Sequence, residues 1–131
     1  MSELMTISYR SLARLREPSS QLQAILEESR QRNDELGVTG ILLFDGTYFM
    51  QTIEGPVEAT ASVFARIVED GRHDDVVPFG VAKIAKRAFP DWTMELIGPE
   101  VTADIVPDME EFDFTDRRLR LVHKAVKKIA A

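Results

Sequence analysis

The sequence predicts an α+β fold, and three observations carry that prediction. Apolar side chains alternate with polar ones in "LMTISYR" (residues 4–10), which puts Met5, Ile7 and Tyr9 on one face of a strand. A tight turn at Asp45-Gly46 joins "VTGILLF" to "TYFMQTIE", because Asp-Gly supplies the positive φ values that a two-residue hairpin needs. Two segments with helical spacing then separate these strands from their neighbours, so strands and helices interleave in one layer pair.

Taken in order, the first strand leads into a helix in "SSQLQAILEESRQRNDELG". Ser19 or Ser20 serves as its cap, Leu22, Ile25, Ser29, Asn33 and Leu36 as its inward stripe, and Gly37 as its stop. After the hairpin, Pro56 opens a second helix with Ala61, Phe64, Ile67 and Val68 at helical spacing, ending near "EDGRH". Two further strands are expected, part of "VVPFGVAKIAKRAF" and "WTMELIG", the latter with Trp92, Met94 and Leu96 on one face. The order β-α-β-β-α-β-β is that of a ferredoxin-like plait, a mixed sheet with two helices on one face. Beyond Pro99 an acidic, Pro-containing connection leads to a last helix from about Asp116. Its stripe of Leu119, Val122, Val126 and Ile129 is expected to cap the face left open. The chain therefore divides into residues 1–98, the plait itself, and 99–131, a connection with an amphipathic helix.

A chain of 131 residues is one domain of ordinary size that needs no disulfide or metal to hold its core. With no cysteine and only His73 and His123, thiolate catalysis and metal sites are not expected. A net charge of −6 argues against a general nucleic-acid binder, although "RRLRLVHKAVKKIAA" carries six Arg or Lys and no acid. No apolar run reaches the length of a membrane span and the N-terminus does not resemble a signal peptide, so a cytoplasmic location is expected.

Gln51 breaks this pattern. In "YFMQTIEGP" it shares a face with Phe49 and Ile53, and a buried amide without partners costs about 1–3 kcal/mol. Ser29 and Asn33, one turn apart, interrupt the inward stripe of the first helix, and Tyr9 is in phase with Met5 and Ile7. Four polar side chains thus point into one layer. Either they satisfy one another, as buried polar groups usually do, or they surround a planar ligand with polar edges.

The stretches "SYRSLAR", "ILEESRQRNDELGVTGILLFDGTYFMQTIEGP", "RIVEDGRHDDV" and "KRAFPDWTME" resemble, in order and spacing, the BLUF family of flavin-using blue-light sensors. The resemblance runs from about Leu4 to Ile97. It implies that the partner of Gln51 is a flavin ring, as FAD or as the shorter FMN or riboflavin, since no Gly-rich phosphate loop is visible. It further implies that Tyr9 bonds Gln51 and gives an electron to the excited flavin, that Gln51 switches its hydrogen bonds at the flavin N5/O4 edge, and that Asn33 meets the ring's polar edge. Trp92 and Met94 match the pair whose exchange in and out of the pocket is tied to signalling. Ile25, Ser29 and Arg32 match pocket-lining positions. Arg66, Asp70, Arg72 and His73 match positions near the pyrimidine edge or ribityl chain, although spacing alone reads Arg66 and Asp70 as a solvated ion pair.

Two physical points stand beside the resemblance. A sensor without cysteine cannot form a thiol adduct with its flavin, so its signal must come from electron, proton and hydrogen-bond changes. An amide, with a donor at one end and an acceptor at the other, suits that role. The expected function is therefore a photoreceptor rather than an enzyme, acting through a downstream protein partner, with a homodimer left open. Two other classes remain open from the sequence: a dark ligand- or protein-binding module of the same fold, and a small acyl-phosphate hydrolase.

Overall fold

The computed structural model describes residues 3 to 130; Met1, Ser2 and Ala131, at the ends of the two segments read from the sequence, lie outside the described residues. Five strands, β1 (Leu4–Ala13), β2 (Thr39–Phe44), β3 (Tyr48–Pro56), β4 (His73–Ile84) and β5 (Glu95–Ile97), form one sheet in the order β4-β1-β3-β2-β5. Only the β2–β5 pairing is parallel, which makes the sheet mixed. Helices α1 (Pro18–Leu36) and α2 (Val57–Glu69) cover one face. The chain after β5 covers the other with α3 (Pro99–Ile105), a short 3-10 turn at Met109–Glu111, and α4 (Asp116–Ala130).

The register of the two central strands decides which side chains share a face. Tyr9 stands opposite Gln51 and Ser8 opposite Thr52. Because faces alternate, Tyr9 and Gln51 point toward α1 and α2, while Ser8 and Thr52 point toward α4. The helix-side cluster joins Ile7, Tyr9, Phe49 and Ile53 of the sheet to Leu26, Val63 and Ile67 of the helices. The opposite cluster joins Ile41, Leu43, Met50 and Ile97 to Val106, Met109, Phe112, Leu119, Val122 and Val126.

Several details differ from the sequence reading. Helix α1 begins at Pro18, whose fixed φ suits a first helical position, and neither Ser19 nor Ser20 caps it. It ends on Gly37, in the left-handed region at φ 70°, as the Gly stop requires. Its buried row is Leu26, Ser29 and Asn33, whereas Leu36 is 37% exposed. On α2 Ile67 is buried and Phe64 packs half-buried against the core, as expected, but Thr60 and Val63 complete the buried row. Ala61 and Val68 face solvent, because the apolar letters did not mark a threonine as inward. Strand β5 is only three residues long, so Trp92 and Met94 precede it and do not alternate as strand neighbours. Met94 enters the helix-side cluster. Trp92 joins the opposite one, stacked on Phe89 with ring centroids 5.5 Å apart. The acidic connection is not irregular throughout, since it contains α3, and Ile129 lies 51% exposed beyond the packed part of α4.

Candidate functional site

A narrow slot opens between α1, α2 and the helix-side face of the sheet, with a cavity volume of about 50 Å³. Its walls are apolar at Ile25, Leu42, Phe49 and Ile67, and polar at Tyr9, Ser29, Arg32 and Gln51, with Glu28, Asp70, Arg72 and His73 completing the lining. Strand alternation delivers Tyr9, Phe49 and Gln51 to this layer, and the i, i+4 step from Ile25 to Ser29 delivers the α1 side.

At the centre of the slot wall the Tyr9 hydroxyl donates to Gln51 Oε1. The other end of the amide, Nε2, meets Met94 Sδ at 3.4 Å. A thioether is a weak acceptor, so the amide's donor end is poorly satisfied while its acceptor end is well bonded. Burial pushes the Tyr9 phenol well above its usual value, with Asp70 adding to the rise and Arg32 opposing it, so Tyr9 holds its proton at any physiological pH.

Asn33 is fully buried and gives its Nδ2 to the Thr93 carbonyl at 2.8 Å, while its Oδ1 lies 3.4 Å from Arg32 Nε. It does not line the slot; it ties α1 to the segment that carries Met94. Arg30 does the same from the preceding turn, donating from Nε to the Met94 carbonyl at 2.9 Å. Sequence reasoning missed Arg30, an exposed helical arginine with no periodic signal. Arg32 lines the slot, and burial followed by the nearby Arg66 charge lowers its pKa. Arg66 itself is exposed and is not among the lining residues.

The Asp70 carboxylate pairs with Arg72 rather than with Arg66, through contacts of 2.6 to 3.2 Å. Arg72 also reaches Glu28 on α1 at 2.8 Å, which spans the mouth of the slot. These hydrogen bonds hold the Asp70 carboxyl below the usual range and raise Arg72. His73 is buried, its Nε2 donating to the Ile67 carbonyl at 2.6 Å and its Nδ1 meeting the Ser11 hydroxyl at 2.7 Å. A neutral imidazole satisfies both contacts. His73 stands edge-on to Tyr9, with centroids 5.8 Å apart, and so braces the phenol. Trp92 is on the far side of the sheet, away from Gln51.

A slot with apolar walls at Ile25, Leu42, Phe49 and Ile67, polar groups around them and an under-satisfied amide donor suits an aromatic ring system carrying acceptor nitrogen and oxygen at one edge. The residues present fit a flavin. Among the described residues no group of acids and histidines could hold a metal ion, and no helix is long and apolar enough to cross a membrane.

Comparison with known proteins gives the same direction. A family model described as "BLUF: Sensors of blue-light using FAD" matches residues 4–95. The chain is 37% identical over 107 residues to the photoactivated adenylate cyclase subunit beta of Euglena longa, covering 81% of this chain but only 12% of that protein. Among solved structures it is similar to BlrB, a BLUF protein in its dark state, with 37% identity, TM-score 0.89 and 98% of each chain covered. It is also similar to Klebsiella pneumoniae BlrP1 with FMN and cyclic diGMP, with 33% identity, TM-score 0.74 and 97% of this chain covering 35% of that one.

Proposed function

The chain belongs to the BLUF family of blue-light sensors, and from that premise we propose that it is a photoreceptor whose signal is a rearrangement of the Tyr9–Gln51 hydrogen bond beside a non-covalently held flavin. The observation that carries this reading is the asymmetry of the Gln51 amide, strongly bonded to Tyr9 at Oε1 and left with only a sulfur at Nε2. Reversing the amide, by rotation or by tautomerisation, exchanges its donor and acceptor ends. Few buried groups can change their hydrogen bonding so fully without moving their backbone.

When bound, a flavin supplies absorption of blue light and a ring that accepts an electron. The chain's residues supply the rest. Ile25, Ser29, Arg32, Gln51, Asp70, Arg72 and His73 hold and orient it. Asn33 acts by anchoring the Thr93–Met94 segment, and Arg66 acts at the mouth through its charge. Tyr9 is the electron and proton donor, its proton already directed at Gln51 Oε1. Gln51 retains the change after Tyr9 is restored, and Met94, touching the amide, passes it to β5; Trp92 follows on the opposite face. FAD is the flavin proposed, following the family's description; the FMN belongs to the Klebsiella relative. Residues 1–98 form the sensing unit and 99–131 its cap, in a cytoplasmic protein that acts on a protein partner, as a monomer or a homodimer.

The test is spectroscopic. Protein purified in darkness and loaded with FAD should shift its absorption reversibly to the red under blue light. Gln51→Leu should bind FAD and show no shift. A red shift preserved in that variant removes the glutamine from the mechanism, and a chain that binds no flavin removes the photoreceptor reading itself.

A further inference from the structure

A second concave site lies on the opposite face of the sheet, where α4 leaves part of β4 and β1 uncovered. It is a cleft of about 410 Å³, within the range of about 300–1,000 Å³ usual for small-molecule sites. Its floor is carbon: Ala82 and Ile84 of β4 and Leu119 of α4, with Gly80 adding bare backbone. Its rim carries three cations, Lys86, Arg120 and Lys127, that form no ion pair among the described residues.

The remaining charges of the cleft are already engaged, with one exception. Glu54 is 2% exposed and accepts the amides of Ala88 and Phe89, each at 2.8 Å. Arg87 turns away to the Gly37 carbonyl at 2.6 Å and the Thr39 hydroxyl at 3.0 Å. Asp116 is the one carboxylate free to oppose the rim. So on a chain whose net charge is −6, this cleft is locally cationic. At its inner end stands His123, with Nε2 bonded to Thr52 Oγ1 at 2.8 Å, and Thr52 bonded in turn to Ser8 at 2.8 Å. Burial and the Lys127 charge lower the imidazole's pKa to about 4, so the ring is neutral and adds no charge at neutral pH.

An apolar floor under uncompensated cations selects for a molecule with one anionic end and a hydrocarbon body. We propose that the cleft between α4 and the end of β4 is a binding site for a small amphipathic anion, a carboxylate whose head lies among Lys86, Arg120 and Lys127 and whose body covers Ala82, Ile84 and Leu119. The site is separate from the slot and stands whether or not the slot holds a flavin. His123 at its inner end bonds Thr52, the neighbour of Gln51 on β3, so a ligand here touches a side chain tied to the strand that carries the proposed switch.

The two histidines provide the readout, one at each site: His73 lines the slot and His123 the cleft. Octanoate titrated into the full chain should move the ring signals of His123 saturably in proton NMR. In Lys127→Gln the titration midpoint should rise roughly tenfold, because a charge-assisted contact is lost. In Ala82→Phe, where an exposed alanine is replaced by a ring that fills the floor, the His123 response should vanish while the His73 signals report an intact fold. Absence of a saturable His123 shift overturns the proposal, and so does a shift that survives Ala82→Phe.

Discussion

A single amide decides how the helix-side layer can behave. Gln51 could be read as unusual from the sequence because a strand face has only two choices and its neighbours Phe49 and Ile53 chose the core. Its bond from Tyr9 also follows from register, since the two residues are directly opposed. Tyr9→Phe keeps the ring and its contacts with Phe64 and His73 and removes only the hydroxyl. Flavin should therefore stay bound while the reversible red shift is lost, and light-minus-dark spectra of the variant check this. Asn33 was less legible, because periodicity says that a helical side chain is buried and not what it bonds. Its partner, the Thr93 carbonyl, lies 60 residues away. Asn33→Ala strands that carbonyl and should cost about 1–3 kcal/mol of stability in urea denaturation. It should also free Met94 from its position beside Gln51, which a broadened Met94 methyl signal would report. Arg72 shows the opposite limit: the sequence offered Arg66 as the partner of Asp70 at i,i+4, but the turn after α2 brings Arg72 closer, and proximity wins.

At the scale of elements, α4 was foreseeable as a cap because a lone amphipathic helix of its length is marginal in water and must find an apolar face. What fixes its position was not visible. Strand β4 takes φ +61° at Gly80, and a Cβ there would sit 2.6 Å from Leu119 Cδ2, so the helix rests on bare backbone. Gly80→Ala should cost roughly 1–2 kcal/mol for the left-handed conformation, and the Leu119 side chain must shift to admit the methyl. Amide exchange should then show residues 119–126 losing protection while β1 and β3 keep theirs. His123 gives the same contact a pH dependence. Its folded pKa of about 4 lies below the ordinary 6.5, with burial as the larger cause and Lys127 the second. The unfolded chain thus binds the proton more readily, and the stability His123 contributes is complete above about pH 6.5 and lost as pH falls toward 4, by up to about 3 kcal/mol. Comparing urea midpoints at pH 7 and pH 5 should show a smaller drop in His123→Gln, which can still bond Thr52 but does not titrate. The short β5 escapes the sequence for a related reason: "WTMELIG" alternates like a strand throughout, yet alternation cannot reveal that the carbonyls of Thr93 and Met94 bond Asn33 and Arg30 of α1 rather than a neighbouring strand.

The whole molecule is two cores that share one sheet. Tyr9 and Gln51 look into one core, and Ser8 and Thr52, on the same rungs, look into the other. Alternation set Phe49, Gln51 and Ile53 on one face of β3, but it could not show that the acidic connection folds over the other. That covering depends on long-range pairs: Arg10 of β1 donates to the carbonyls of Met109 and Glu110 at 3.0 and 2.8 Å, and Arg118 pairs with Asp108 at 2.6 Å. Arg10 also lies 4.8 Å from the Phe114 ring centroid, so one strand residue fixes both sides of the turn into α4. Removing residues 116–131 deletes Leu119, Val122 and Val126 from the second core and uncovers Met50, Phe79 and Ile97. An apolar sheet face of that kind does not stay bare on a monomer. The truncated chain should therefore keep the slot and a nearly unchanged flavin spectrum, because no residue lining it is lost, yet run as oligomers or aggregate on size exclusion. A truncated chain that stays monomeric, together with free amide exchange at 119–126 in the intact chain, would show instead that α4 is held loosely and is the segment offered to a partner.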